Sequence, residues 1–147
     1  MTGTQIAVVF SLVAGVAGAA QAAISGALGR RIGTFGAAGF GVIVAAILVV
    51  ALALALGRGA TIAAATREPP WLWLGGVFGA LIVVAIAYAP PRIGTFATVA
   101  LLIAGQLVAG ALIDAFGWFG SPRIPVSLTR LLGLLLVAGG AALTLKR

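Results

Sequence analysis

The sequence predicts an all-α membrane protein, a single transmembrane domain over residues 1–147 with five transmembrane helices. Hydrophobic residues make up 63% of the chain and charged residues only 7%, whereas a soluble domain is roughly 45–50% apolar and about 25% charged. The apolar residues form continuous runs near the roughly 20 residues that a membrane-spanning helix needs. They do not alternate with polar residues, as the strands of a membrane β-barrel would. The few charges separate the runs, where loops between spans carry them.

The predicted spans are residues 6–28, 34–56, 71–89, 94–116 and 128–145. The first stops at Arg30 and Arg31, and the second stops at Arg58. The third ends at Pro90 and Pro91, because proline lacks a backbone donor and disfavours helix in the residue before it. The three tryptophans lie at predicted span ends, as in the aromatic belts of membrane proteins.

A loop rich in Gly, Ser and Pro separates the last two spans. The fourth span follows Arg92 and runs to Phe116. Ser127 is expected to cap the fifth, since a serine hydroxyl accepts hydrogen bonds from the unpaired amides of a first helical turn. The uncharged part of the fifth, residues 131–145, is short. Arg130 is therefore expected to extend its guanidinium group to the headgroups.

The residues that most enzyme active sites need are missing. The chain has no cysteine and no histidine, and its only acids are Glu68 and Asp114. This excludes thiol nucleophiles, histidine bases, paired-acid sites and thiolate or imidazole metal sites. We therefore expect no enzyme activity, no catalytic residue, no metal and no cofactor. The net charge of +7 comes from cations scattered between apolar runs. The expected partner is thus the lipid bilayer and not a nucleic acid.

The cations are almost evenly divided between the two sides of the membrane. If five spans place the termini on opposite sides, the N-terminal side carries Arg58, Arg67, Arg123 and Arg130. The other side carries Arg30, Arg31, Arg92, Lys146 and Arg147. Because the difference in Lys and Arg sets orientation, this balance favours dual topology and an antiparallel homodimer. A single orientation fixed by one loop pair is the alternative.

Small residues recur at four-residue spacing on two predicted helices. The first helix carries Ala14, Gly18, Ala22 and Gly26, and the third carries Gly75 and Gly79. Gly105 lies in the fourth. Small residues let helix backbones approach closely in lipid. These positions are therefore expected to pack against other helices.

Few polar residues lie within the spans. Gln106 is near the middle of the fourth span, and Gln21 and Ser25 share one face of the first. Intramembrane polar groups usually face a cavity or the bundle interior, which makes these three candidates for substrate binding. Bonding between helices is the alternative. Tyr88, Arg92 and Asp114 are candidates for the pathway or an interface. Asp114 could instead lie at the headgroups or pair with a nearby arginine.

Six segments, in order, resemble the YdcZ-like five-helix branch of the drug/metabolite transporter superfamily. They are residues 21–30, 73–80, 91–94, 102–107, 114–117 and 130–133. The most specific are Pro-Arg-Ile-Gly, beginning at Pro91, and Ile-Ala-Gly-Gln-Leu, beginning at Ile103. The resemblance covers nearly the whole chain.

This resemblance implies a small multi-pass transporter of the inner (cytoplasmic) membrane. Ten-helix members of the superfamily look like two inverted five-helix halves, so a lone half would need a second, inverted copy. The substrate would be a small metabolite bound near the midplane and moved by alternating access. No acid lies near the midplane, which fits a neutral or weakly anionic compound. A non-transporting membrane subunit or scaffold, and a small dual-topology channel, are the alternatives. The excess of arginine over lysine suggests a bacterial source.

Overall fold

The structure is a computed structural model that describes residues 2–145. Helix accounts for 87% of it, and no strand occurs among these residues. The helices are α1 (Gly3–Ile32), α2 (Thr34–Ala55), α3 (Gly59–Ala64), α4 (Leu74–Tyr88), α5 (Pro90–Ile93), α6 (Thr95–Phe116) and α7 (Leu128–Leu143). The predicted all-α class is confirmed.

Four helical segments are long and apolar enough to cross a membrane. They are Gly3–Ile32, Thr34–Ala55, Pro70–Ile93 and Thr95–Phe116. The fifth apolar helix, α7, has 16 residues, which is about 24 Å of helix against a hydrocarbon core of about 30 Å. The count of five membrane spans therefore stays a prediction.

The chain divides into two compact units. The central unit is Gln21–Pro91, and the terminal unit combines the described parts of Met1–Ala20 and Arg92–Arg147. The chain passes between the units inside α1 and again inside α5.

Small side chains form the core of the central unit. Ala37, Ala38 and Ala87 are buried, and the half-buried side chains around them are Leu28, Val83 and Val84. Glycines on α1 make this contact tight. A Cβ atom added to Gly29 would lie 2.7 Å from the carbonyl oxygen of Ala87, and one added to Gly26 would lie 2.8 Å from the Cβ of Pro90. Any larger residue at either position would have to push the backbones apart.

Helices α6 and α7 pack against each other in the terminal unit, and hydrogen bonds hold the loop between them. The backbone amide of Ile124 donates to the carbonyl oxygen of Asp114 at 2.9 Å. The Nε of Arg123 donates to the carbonyl oxygen of Phe116 at 3.3 Å. Ser127 caps α7, its hydroxyl oxygen accepting from the amide of Arg130 at 3.2 Å, which confirms the predicted cap.

Two turns of the chain share one five-residue sequence and one backbone conformation. Both Arg31–Phe35 and Arg92–Phe96 read Arg-Ile-Gly-Thr-Phe. The glycines have φ 82° and ψ 156° at Gly33, and φ 86° and ψ 154° at Gly94. Essentially only glycine adopts this region. Each turn ends one helix and starts the next, so each unit contains one copy of the same helix-turn-helix junction.

The residues that follow the two glycines are also placed alike. The ring in each turn is exposed, 81% for Phe35 and 78% for Phe96. Ala37 and Thr98, which occupy the same place in the repeat, are each 2% exposed. The two turns differ in one hydrogen bond. The Thr98 hydroxyl donates to the carbonyl oxygen of Gly94 at 2.8 Å, whereas Ala37 has no hydroxyl. The repeat was missed in the sequence analysis, although identical pentapeptides are a direct signal for it.

Candidate functional site

Helices α6 and α7 line a cleft of about 460 Å³ within the terminal unit. This size falls in the range of small-molecule pockets, about 300–1,000 Å³. The lining residues are Gln106, Leu107, Gly110, Ala111 and Asp114 on α6, and Arg130, Gly133, Leu134 and Val137 on α7. Their spacings of three, four and seven residues place each set on one helical face. Six of the nine lining residues have no polar side chain, so most of the wall is apolar.

An ion pair lies among the lining residues. Nη1 of Arg130 is 3.2 Å from Oδ2 of Asp114, with the two side chains 46% and 30% exposed. The hydroxyl of Ser121 donates to the other carboxylate oxygen, Oδ1, at 3.2 Å. The sequence left a pairing of Asp114 with a nearby arginine open, and the structure identifies the partner as Arg130. The loop bond from Ile124 to the Asp114 backbone helps to fix this end of α6.

Gln106 supplies the other polar group of the cleft. It precedes Asp114 by eight residues on the same helix, a rise of about 12 Å. The side chain is exposed, and among the described residues it has no hydrogen-bond partner. A primary amide can donate and accept hydrogen bonds, so Gln106 is available to a ligand.

Two glycines leave space along the cleft between its polar groups. A Cβ atom added to Gly110 or to Gly133 would meet nothing within 4 Å. The same is true of Gly105, which does not line the cleft. Gly105 was predicted to pack against a helix, and no such contact occurs within the part of the chain that the structure describes.

The other candidate substrate-binding residues lie in the central unit. Gln21 is exposed and Ser25 half-buried on α1, and neither lines the cleft. Tyr88, 50% exposed, ends α4, and Arg92 is exposed in α5. The structure therefore brings Gln106, Asp114 and Arg130 to one cleft and leaves the other candidates outside it.

The small residues predicted to pack divide into two groups. Ala22 is fully buried. A Cβ atom at Gly18, Gly75 or Gly79 would meet nothing within 4 Å in the described chain. The closest approaches occur instead at Gly26, which belongs to the small-residue row of α1, and at Gly29, which was not singled out for packing. The three-residue spacing between these two glycines was the available signal.

The comparisons with known proteins give the family. Over residues 6–143 the chain matches the protein family described as "Putative inner membrane exporter, YdcZ". Comparison with curated proteins and with solved structures finds no match. The matched family is one of transporters rather than of enzymes, and its location agrees with the apolar helices. The chain therefore belongs to the YdcZ-like family of inner-membrane exporters and is a multi-pass protein of the inner membrane.

Proposed function

We propose that the chain is one half of an exporter, which pairs with a second, inverted copy and moves a small metabolite by alternating access. The observation that carries this proposal is the α6–α7 cleft. It combines apolar walls with an amide and an ion pair, in a chain whose spans contain very few polar groups. Ligand pockets in general have this character, mostly apolar walls with a few placed polar groups.

The surface of the single chain supports pairing with a second copy. In the four candidate spans, only 6–11% of the most apolar window is buried within the chain. The buried residues of α1 are Ala22 and Gly26, so its first 19 residues, from Gly3 to Gln21, contact little within the chain. Lipid can cover exposed leucine and valine. The small-residue row at Ala14 and Gly18 fits a neighbouring helix better, because it permits close backbone contact.

In this proposal the polar candidates divide between binding and passage. Gln106 would hydrogen-bond the substrate in the cleft, near the interface between inverted copies. Gln21 and Ser25, in the central unit and outside the cleft, are separate candidates for substrate binding. Tyr88, Arg92 and Asp114 would lie along the pathway or the dimer interface. The near-even distribution of Lys and Arg favours insertion of the chain in both orientations.

Flux measurements on purified protein in liposomes test the transport proposal. A carrier gives saturable uptake and counterflow across a metabolite panel. No flux with any compound would indicate a membrane subunit or scaffold. Flux that does not saturate and shows no counterflow would indicate a channel. Either of the last two results would overturn the proposal.

Labelling of single cysteines tests dual topology. Because the sequence has no cysteine, the introduced thiol is the only one that can react. Thr2→Cys and Thr144→Cys place one thiol near each terminus. We expect a membrane-impermeant maleimide to label part of the population at both positions in spheroplasts, because the two orientations coexist. Complete labelling at one position with none at the other would show a single orientation. Permeabilised membranes are the control and should label fully at both.

A further inference from the structure

We infer that the α6–α7 cleft binds an amphipathic organic anion, whose anionic group lies on Arg130 and whose apolar body lies along the cleft toward Gln106. This inference rests on the proposed function and names the substrate class for the same cleft. Its test is arranged so that the two can fail separately.

Most of the hydrogen-bonding capacity left at the ion pair is that of a donor. Both carboxylate oxygens of Asp114 already accept, Oδ1 from Ser121 and Oδ2 from Arg130. The guanidinium group of Arg130 has five N–H donors, and in the described chain it donates one hydrogen bond, from Nη1 to Asp114. A carboxylate has about four lone-pair sites, of which these bonds use two, so a ligand at this point would find more spare donors than spare acceptors. That arrangement favours an anionic group over a cationic one.

The geometry of the guanidinium group and the local charge also favour an anionic ligand. A guanidinium group presents its donors as a planar fork that matches the two oxygens of a carboxylate. A second guanidinium group, that of Arg123, is bonded to the last carbonyl of α6. This end of the terminal unit therefore carries two cations, Arg123 and Arg130, beside the one carboxylate of Asp114. The excess of positive charge raises the local concentration of anions.

The rest of the cleft fits an apolar body of limited length. Leu107, Leu134 and Val137 line it, and Gly110 and Gly133 leave it wide. Burial of an apolar ligand surface against these side chains is favourable. The rise of about 12 Å between Asp114 and Gln106 limits the body to a short chain or a single ring. Gln106 can then hydrogen-bond a polar group at the far end.

Thermal unfolding of the purified protein in a neutral detergent tests the ligand class. The probes are 4-phenylbutyrate, 4-phenylbutyramide and 4-phenylbutylamine, which have nearly the same shape and differ in charge. We expect the anion to raise the unfolding midpoint in a saturable way, with an affinity roughly tenfold or more above that of the amide. Equal stabilisation by all three, or a preference for the amine, would overturn the inference.

Two cleft variants locate the binding. Arg130→Lys keeps a cation beside Asp114 but loses the fork, and should weaken phenylbutyrate binding roughly tenfold. Gly133 lines the cleft and a Cβ there meets nothing within 4 Å, so Gly133→Leu should fill the cleft and abolish binding with Arg130 intact. Arg58→Gln, which removes an exposed cation of the central unit outside the cleft, is the matched control and should bind as the unmodified chain does. Unchanged binding in both cleft variants would overturn the inference.

A lipid headgroup could supply the same anionic chemistry. Adding phosphatidylglycerol, which is anionic, or phosphatidylcholine, which is zwitterionic, to the detergent tests whether a lipid headgroup or a soluble anion is the ligand. Stabilisation by phosphatidylglycerol with none by phenylbutyrate would overturn the soluble-anion assignment. The liposome flux assay separates a wrong substrate class from a wrong transport proposal. Saturable transport of another compound without phenylbutyrate binding would refute the substrate class alone, whereas no saturable flux for any compound would refute transport.

Discussion

Two glycines of the central unit and two of the terminal unit have opposite effects on packing. In the central unit, Gly26 and Gly29 bring α1 into contact with the Ala87–Pro90 segment, where no Cβ would fit. In the terminal unit, Gly110 and Gly133 border open space and widen a cleft. The residue type is the same, and of the four only Gly26 was predicted from the sequence to pack against a helix. The comparison shows that a small residue permits close packing, while the surface opposite decides whether the chain fills the space or leaves it open.

The largest loss of stability should come from adding one methyl group at a glycine that packs closely against a neighbouring segment. Gly29→Ala would place its Cβ 2.7 Å from a backbone carbonyl oxygen, and we expect a loss of about 1–3 kcal/mol in the free energy of unfolding. Gly133→Ala is the control. It should leave stability unchanged or raise it by up to about 1 kcal/mol, because alanine favours helix. Denaturation in detergent measures both. Equal stability of the two variants would remove the distinction between the packed and the open glycines.

The second-largest loss of stability is expected at the turn that occurs once in each unit. Gly33→Ala and Gly94→Ala would each force a side chain into a backbone region that favours glycine alone. We expect each to cost about 1–3 kcal/mol, with similar losses because the two conformations match within a few degrees. Gly41→Ala, in the open interior of α2, should be tolerated. A large loss at only one turn would show that the two copies are not equivalent in solution.

The smallest effect on stability should come from Gln106 in the open cleft. Gln106→Leu removes an exposed amide that makes no hydrogen bond within the described chain, so we expect the free energy of unfolding to change by less than the roughly 1 kcal/mol of an interhelical hydrogen bond. Ligand binding should be lost if the amide contacts substrate. Gln21→Leu is the comparison. Loss of binding in the Gln21 variant alone would move the site away from the α6–α7 cleft.

Several features of the fold were predictable because they depend on local chemistry. The all-helical class follows from long apolar runs, since backbone groups in lipid must be satisfied within a helix or a closed barrel. The cap at Ser127 follows from the hydroxyl beside an apolar run. The candidate site was predicted only in part. Gln106 and Asp114 were recognised as polar groups inside a span, but the lining role of Arg130 was not.

The sequence by itself determined that this is an inner-membrane protein of the YdcZ-like family, because composition, run length and short motifs carry that information without any long-range contact. The tertiary structure decided which glycines touch a neighbour, and it joined Asp114 to Arg130 across 16 residues. It also revealed a cleft between α6 and α7. The ion pair and the cleft depend on the course of the loop after Phe116 and on the register of α7 against α6. Both are set by many weak contacts between elements, and no single segment of sequence encodes them.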